Sequence, residues 1–80
     1  MPQNIPSLKP KELIRILDKE GCGFYREGKG DHRLYVRQFE DKKIVPIDVG
    51  LTWFSPPYVL RIFRQFSFTD EEIEKLLKDK

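Results

Sequence analysis

The chain reads as an α+β domain of the order α-β-β-β-α, with a further short helix at its carboxy end. Three observations predict this. Apolar stripes at helical spacing open and close the chain, three short β-branched and aromatic runs lie between them, and glycine or charged turns separate those runs. Helices then cover one face of a small antiparallel sheet, giving a two-layer sandwich. Eighty residues suit one domain, 1–80, which buries about two thirds of the surface its unfolded form exposes.

Each element has its own warrant. Ile5-Pro6-Ser7-Leu8-Lys9-Pro10 leads into the first helix, where Pro10 loses no internal hydrogen bond because it stands in the first turn. The helix runs to about Glu20. Leu13, Ile14, Ile16 and Leu17 form its apolar stripe, and Gly21 can take the left-handed conformation that ends it. Three strands follow, at Phe24-Tyr25-Arg26, Leu34 to Phe39 and Lys43 to Val49. In the third, Val45, Ile47 and Val49 share one face, and Pro46 cannot donate to a ladder, which favours an edge position. In the second, alternation groups His32 with Leu34 and Val36 on the face toward the helices. Pro56-Pro57 opens the next helix, with Val59, Ile62, Phe63 and Phe66 at i, i+3, i+4 and i+7. Thr69 stands three residues before Glu72, the spacing of a capping box, and Ile73, Leu76 and Leu77 form the last stripe. Trp53 and Phe54 suit core plugs under a long loop, with an exposed partner site as the other reading.

Charge and cysteine usage exclude several classes. With 15 Lys+Arg against 13 Asp+Glu, the net charge of +2 does not by itself mark a nucleic-acid binder. Cys22, the single cysteine, forms no internal disulfide and suits a small core residue, because no His or Cys cluster accompanies it to hold zinc. No metal or cofactor is implied. The absence of a long apolar run or a signal-like start leads to the expectation of a cytoplasmic chain without a membrane partner.

His32 is the candidate for chemistry. It is the one histidine, placed in Gly28-Lys29-Gly30-Asp31-His32-Arg33, a glycine-rich charged turn that runs into a strand. Imidazole is the side chain suited to taking and giving protons near neutrality. A surface histidine at a strand start is the bland alternative. Gly28 and Gly30 would let backbone approach a phosphate, or would be ordinary loop residues of a hairpin. Lys29, Arg33, Arg37, Arg26, Lys42 and Lys43 form a cluster able to neutralise phosphates, with Tyr35 and Phe39 interleaved on the Arg33 and Arg37 face. The same residues also make a plain solvated strand face. Arg61, Arg64 and Gln65 lie off the apolar stripe of their helix, open to RNA, to an acidic partner or to solvent.

The helix Leu13 to Gly21, the Gly30-Asp31-His32 turn before Leu34-Tyr35, the strand with Pro46, and Leu60-Arg61-Ile62-Phe63-Arg64-Gln65 before an acidic-capped helix are arranged together along nearly the whole chain. In that arrangement the chain resembles the HicA toxin family. The resemblance implies a fold like that of double-stranded-RNA-binding domains and an mRNA interferase activity in a type II toxin–antitoxin pair, neutralised by a HicB-like antitoxin protein. It implies that His32 is catalytic, with Lys29, Gly30, Arg33, Arg37 and Arg26 as RNA or phosphate ligands. The family usually has Gly-Ser-His at this turn, where this chain has aspartate, Asp31.

Two functions follow as expectations. One is a metal-independent endoribonuclease in which His32 moves a proton during attack of a 2′-hydroxyl on the RNA backbone, with Tyr25, Tyr35, a lysine or water handling the second proton. The other is a non-catalytic RNA- or protein-binding module on the same fold, contacting RNA through the strand face of Arg33, Tyr35 and Arg37.

Overall fold

The lead-in segment is pinned before the first helix begins. In the computed structural model, which describes residues 4–38 and 40–78, Leu8 and Phe54 exchange backbone hydrogen bonds at 3.1 and 2.7 Å and are both fully buried. Helix α1, Pro10–Lys19, starts with Pro10 in its first turn, and the Glu12 carboxylate accepts from the Lys9 amide at 3.0 Å. It stops at Gly21, whose φ of +81° is a conformation that side chains with a Cβ rarely adopt. Leu13, Ile16 and Leu17 are buried, and Ile14 is half-buried at the rim of the stripe.

The sheet is a meander of three antiparallel strands in the order β1-β2-β3, with β1 at Cys22–Glu27, β2 at His32–Gln38 and β3 at Lys42–Asp48. Strand β1 starts earlier than side-chain type suggests, because Cys22 and Gly23 pair with Arg37 and Val36. The ladder skips Tyr25, which forms a bulge between Phe24 and Arg26. Strand β3 is an edge, and Pro46 lies opposite Leu34 in its ladder. The expected end of the second strand, Phe39, lies outside the described residues.

Tyr35 and Val45 lie opposite each other and are buried, as is Ile47 opposite Arg33, so these residues mark the inner face of the sheet. The grouping of His32, Leu34 and Val36 toward the helices is therefore wrong. Those residues occupy the outer face, where Leu34 and Val36 are half-buried and their neighbour Ile44 is 41 % exposed. One ring with large area, Tyr35, outweighs two aliphatic side chains in deciding which set the helices cover.

Helix α2, Pro56–Gln65, packs against β3 and buries Val59, Ile62 and Phe63, while Phe66 closes its end. Helix α3, Asp70–Lys78, opens on the expected reciprocal cap, in which the Thr69 amide donates to Glu72 Oε1 at 2.8 Å and the Glu72 amide donates to Thr69 Oγ1 at 3.2 Å. The Thr69 amide first, and its hydroxyl to a smaller extent, hold the Glu72 carboxyl below its ordinary range. One core joins Leu8, the three helices and the inner sheet face. Phe54 belongs to it, whereas Trp53 is 53 % exposed with the Lys9 ammonium 5.3 Å from its ring centre, so the two aromatics part company. No helix of the described residues is long and apolar enough to cross a membrane.

Candidate active site

The β1–β2 hairpin shapes the surroundings of His32. The Gly28 amide donates to the His32 carbonyl at 2.9 Å and the His32 amide to the Lys29 carbonyl at 3.0 Å, which closes a short loop around Gly30 with its φ of +59°. A Cβ on Gly28 would stand 3.1 Å from the His32 carbonyl oxygen. The loop alone thus accounts for both glycines.

His32 begins β2 on the outer face, exposed, with its Nδ1 3.3 Å from the Lys29 carbonyl. A carbonyl can only accept, so Nδ1 donates in that long hydrogen bond, and in the neutral ring Nε2 is then the acceptor. Directly across on β3 stands Asp48. The Val49 amide donates to the Asp31 carbonyl at 3.0 Å just outside this pair, the pattern of a non-hydrogen-bonded pair, whose side chains lie close together. On the other flank His32 meets Gly28, which has no side chain, and Arg26 lies diagonally across on the same face, opposite Leu34. The imidazole therefore has an open flank at Gly28 and shares the outer face with Arg26 and, across the ladder, Asp48.

Asp31, the residue before it, turns elsewhere. Its side chain packs on Gly50, where an added Cβ would fall 2.5–2.7 Å from Asp31 side-chain atoms. The Gly50 amide in turn donates to Asp48 Oδ1 at 3.0 Å, and the Asp48 amide donates to the Tyr58 hydroxyl at 3.0 Å. The β3–α2 turn is thereby tied to the hairpin loop that carries His32. Asp48 and Tyr58 escaped the sequence reading, since strand register brings the first here and the packing of α2 against β3 the second. No group of three or more His, Cys, Asp or Glu among the described residues is placed to hold a metal ion.

The other expected phosphate ligands are divided between the two faces. Lys29 and Gly30 sit in the hairpin loop, and Arg26 is exposed on the outer face with Nη1 donating to the Glu27 carbonyl at 3.3 Å. Arg33 projects to the inner side, exposed at the sheet end, with its Nε 3.4 Å from Glu27 Oε1. Arg37 is half-buried. Its Nη1 donates to the Phe66 carbonyl at 2.7 Å, and its guanidinium carbon lies 3.9 Å from the centre of the Phe68 ring. With Tyr35 buried beside it, Arg33-Tyr35-Arg37 is not a solvated strand face. Tyr35 cannot reach a group at His32, and Tyr25 lies under the Lys42 ammonium, 4.5 Å from its ring centre, toward the opposite end of the sheet.

Against known protein families, curated proteins and solved structures, the chain has no match.

Of the remaining candidates, Cys22 is a core residue and Arg64 is ion-paired. Cys22 is buried, and desolvation pushes its thiol up to about 11 despite the nearby Arg37 charge, while Glu20 adds to the rise. Such a thiol is inert as a nucleophile at neutral pH. Arg64 pairs with Asp70 at 3.3 Å, and with Arg61 and Gln65 it lines a shallow groove along Pro57 and Leu60.

Proposed function

We propose that this chain is a metal-independent endoribonuclease of the HicA type, the mRNA interferase of a type II toxin–antitoxin pair, on a fold arranged like a double-stranded-RNA-binding domain. The observation that carries the reading is the setting of His32, with Nδ1 at the Lys29 carbonyl, an open flank at Gly28, and Arg26 and Lys29 close by. In this reaction Nε2 takes the proton of a ribose 2′-hydroxyl as its oxygen bonds to the adjacent phosphorus. The bond from phosphorus to the 5′-oxygen breaks, leaving a 2′,3′-cyclic phosphate and a 5′-hydroxyl. The Lys29 ammonium or a water molecule delivers the proton that the leaving oxygen needs. Arg26 and Lys29 neutralise the phosphate charge, the bare Gly28–Gly30 backbone gives it room, and Asp48 steadies the imidazolium that the transfer creates. Arg37, held under the helices, supports the scaffold and takes no part. A HicB-like antitoxin would act by covering the exposed outer face around His32.

The test is cleavage of RNA in the presence of a chelator by the wild type and by His32→Ala. The exposed imidazole bears no core contact, so the variant keeps its thermal transition while cleavage falls by a hundredfold or more. Undiminished cleavage by a folded His32→Ala protein would overturn the proposal. A non-catalytic RNA- or protein-binding module is the second reading. It is favoured by the hydrogen bonding of the His32 ring, whose one side-chain bond among the described residues goes to a backbone carbonyl rather than to a second acid–base group. In that case RNA is bound and remains intact.

A further inference from the structure

Between α1 and the free side of β1 runs an open cleft on the inner side of the sheet, floored by Cys22 and Tyr35. Lys11 and Arg15, four residues apart on one face of α1, stand along one wall, with Asp18 one turn on. Neither cation is ion-paired among the described residues. Phe24 forms the opposite wall. It is 54 % exposed, yet its position is set by an edge-to-face contact with the buried Tyr35 ring at 5.9 Å. Arg33 closes the cleft at the hairpin end.

We propose that this cleft is the docking site for a nucleotide of single-stranded RNA next to the bond that is cleaved at His32. The base stacks on the Phe24 ring, the flanking phosphates lie against Lys11 and Arg15, and Asp18 accepts from a base amino group. An oriented aromatic beside uncompensated cations is the combination by which proteins hold single strands, because every base has a face to stack and every phosphate a charge to neutralise. The position fits the reaction. Phe24 lies opposite Tyr35, three residues along β2 from His32, or about 10 Å, and Arg33 marks the path from the cleft to the hairpin end where His32 projects to the other face. This inference rests on the RNA reading of the His32 site.

The experiment measures binding of a short 2′-O-methyl RNA, which cannot be cleaved by 2′-hydroxyl attack, by fluorescence anisotropy across a salt series. The proteins are wild type, Phe24→Ala, Phe24→Tyr and the double variant Lys11→Gln/Arg15→Gln. All four substitutions are at exposed positions, and thermal melts check that each protein folds. Phe24→Ala raises Kd about tenfold and Phe24→Tyr restores it. Lys11→Gln/Arg15→Gln weakens binding and lowers the slope of log affinity against log salt by about 1.4, the value for two phosphate contacts on a single strand. Wild-type affinity in both Phe24→Ala and the double variant overturns the cleft while leaving an RNA site elsewhere. Weakening by the double variant alone also overturns it, since that describes a diffuse basic patch. A wild-type protein that does not bind the RNA overturns both this inference and the RNA reading on which it rests.

Discussion

Replacing Arg37 separates a scaffold role from an RNA role. Its guanidinium donates to the Phe66 carbonyl at the end of α2 and lies 3.9 Å from the centre of the Phe68 ring, so one side chain ties β2 to the α2–α3 junction. Arg37→Ala removes a charged hydrogen bond, typically about 1.5–3 kcal/mol, and a cation–π contact of about 0.5–1 kcal/mol. The positive charge at the α2 carboxy end, favourable to the helix dipole, goes with them. A loss of about 2–4 kcal/mol follows, large beside the roughly 4–12 kcal/mol typical of a domain this size. Urea unfolding followed by circular dichroism measures it as a midpoint lowered by roughly 2 M at unchanged slope. Arg37→Lys recovers only part, because a lysine keeps the charge without the planar fork that serves carbonyl and ring together. A shift below about 0.5 kcal/mol, or weakened RNA binding at full stability, would refute the reasoning and return Arg37 to the phosphate ligands.

Three further outcomes follow from contacts of the same kind. Gly50→Ala drives a methyl group into the Asp31 side chain and costs roughly 1 kcal/mol or more, and Asp31→Gly in the same chain relieves it, so a double-mutant cycle by thermal melts reads a favourable coupling. Cys22, with its thiol at about 11 in the folded state against 9.0 ordinarily, ionises more readily unfolded. The Cys22 contribution to stability is therefore fully present below pH 9 and is lost between pH 9 and 11 by up to about 1.4 kcal/mol per pH unit, and a Cys22→Ala protein lacks that part of the decline. Thr69→Ala removes the cap of α3 and costs about 1 kcal/mol in denaturant. Because the Thr69 amide, and to a smaller extent its hydroxyl, hold the Glu72 carboxyl low, its stabilising contribution is present above the ordinary carboxylate range and is lost as pH falls through the lowered value, a dependence that Thr69→Ala, which keeps the amide, reduces only by the hydroxyl's share.

The features legible in the sequence are those governed by neighbours along the chain. The stripe of Val59, Ile62, Phe63 and Phe66 is fully buried, Gly21 has the positive φ of a helix stop, and Thr69 and Glu72 form their reciprocal cap, because each depends on residues within a turn or two. Pro46 on an edge strand was legible for the same reason, since a missing donor belongs to the residue itself. The hairpin that presents His32 followed from Gly28 and Gly30 and the strands around them.

The two faces of β2 were not legible. Its alternate positions hold Leu34 and Val36 on one side and Tyr35 on the other, so both sets are apolar enough to go inside, and strand geometry favours neither. The helices decide it. By covering Tyr35, Val45 and Ile47 they turn His32 outward beside Asp48, draw Arg37 under Phe66 and Phe68, and leave Arg33 at the sheet end. The same packing buries Phe54 and exposes Trp53, and sets Phe24 across a cleft from Lys11 and Arg15 on a helix distant in sequence. By itself the sequence determined the elements, their caps and the one residue suited to proton transfer. Only the tertiary structure decided which way that residue faces and what surrounds it, because a strand's period of two leaves the choice of face to contacts made far along the chain.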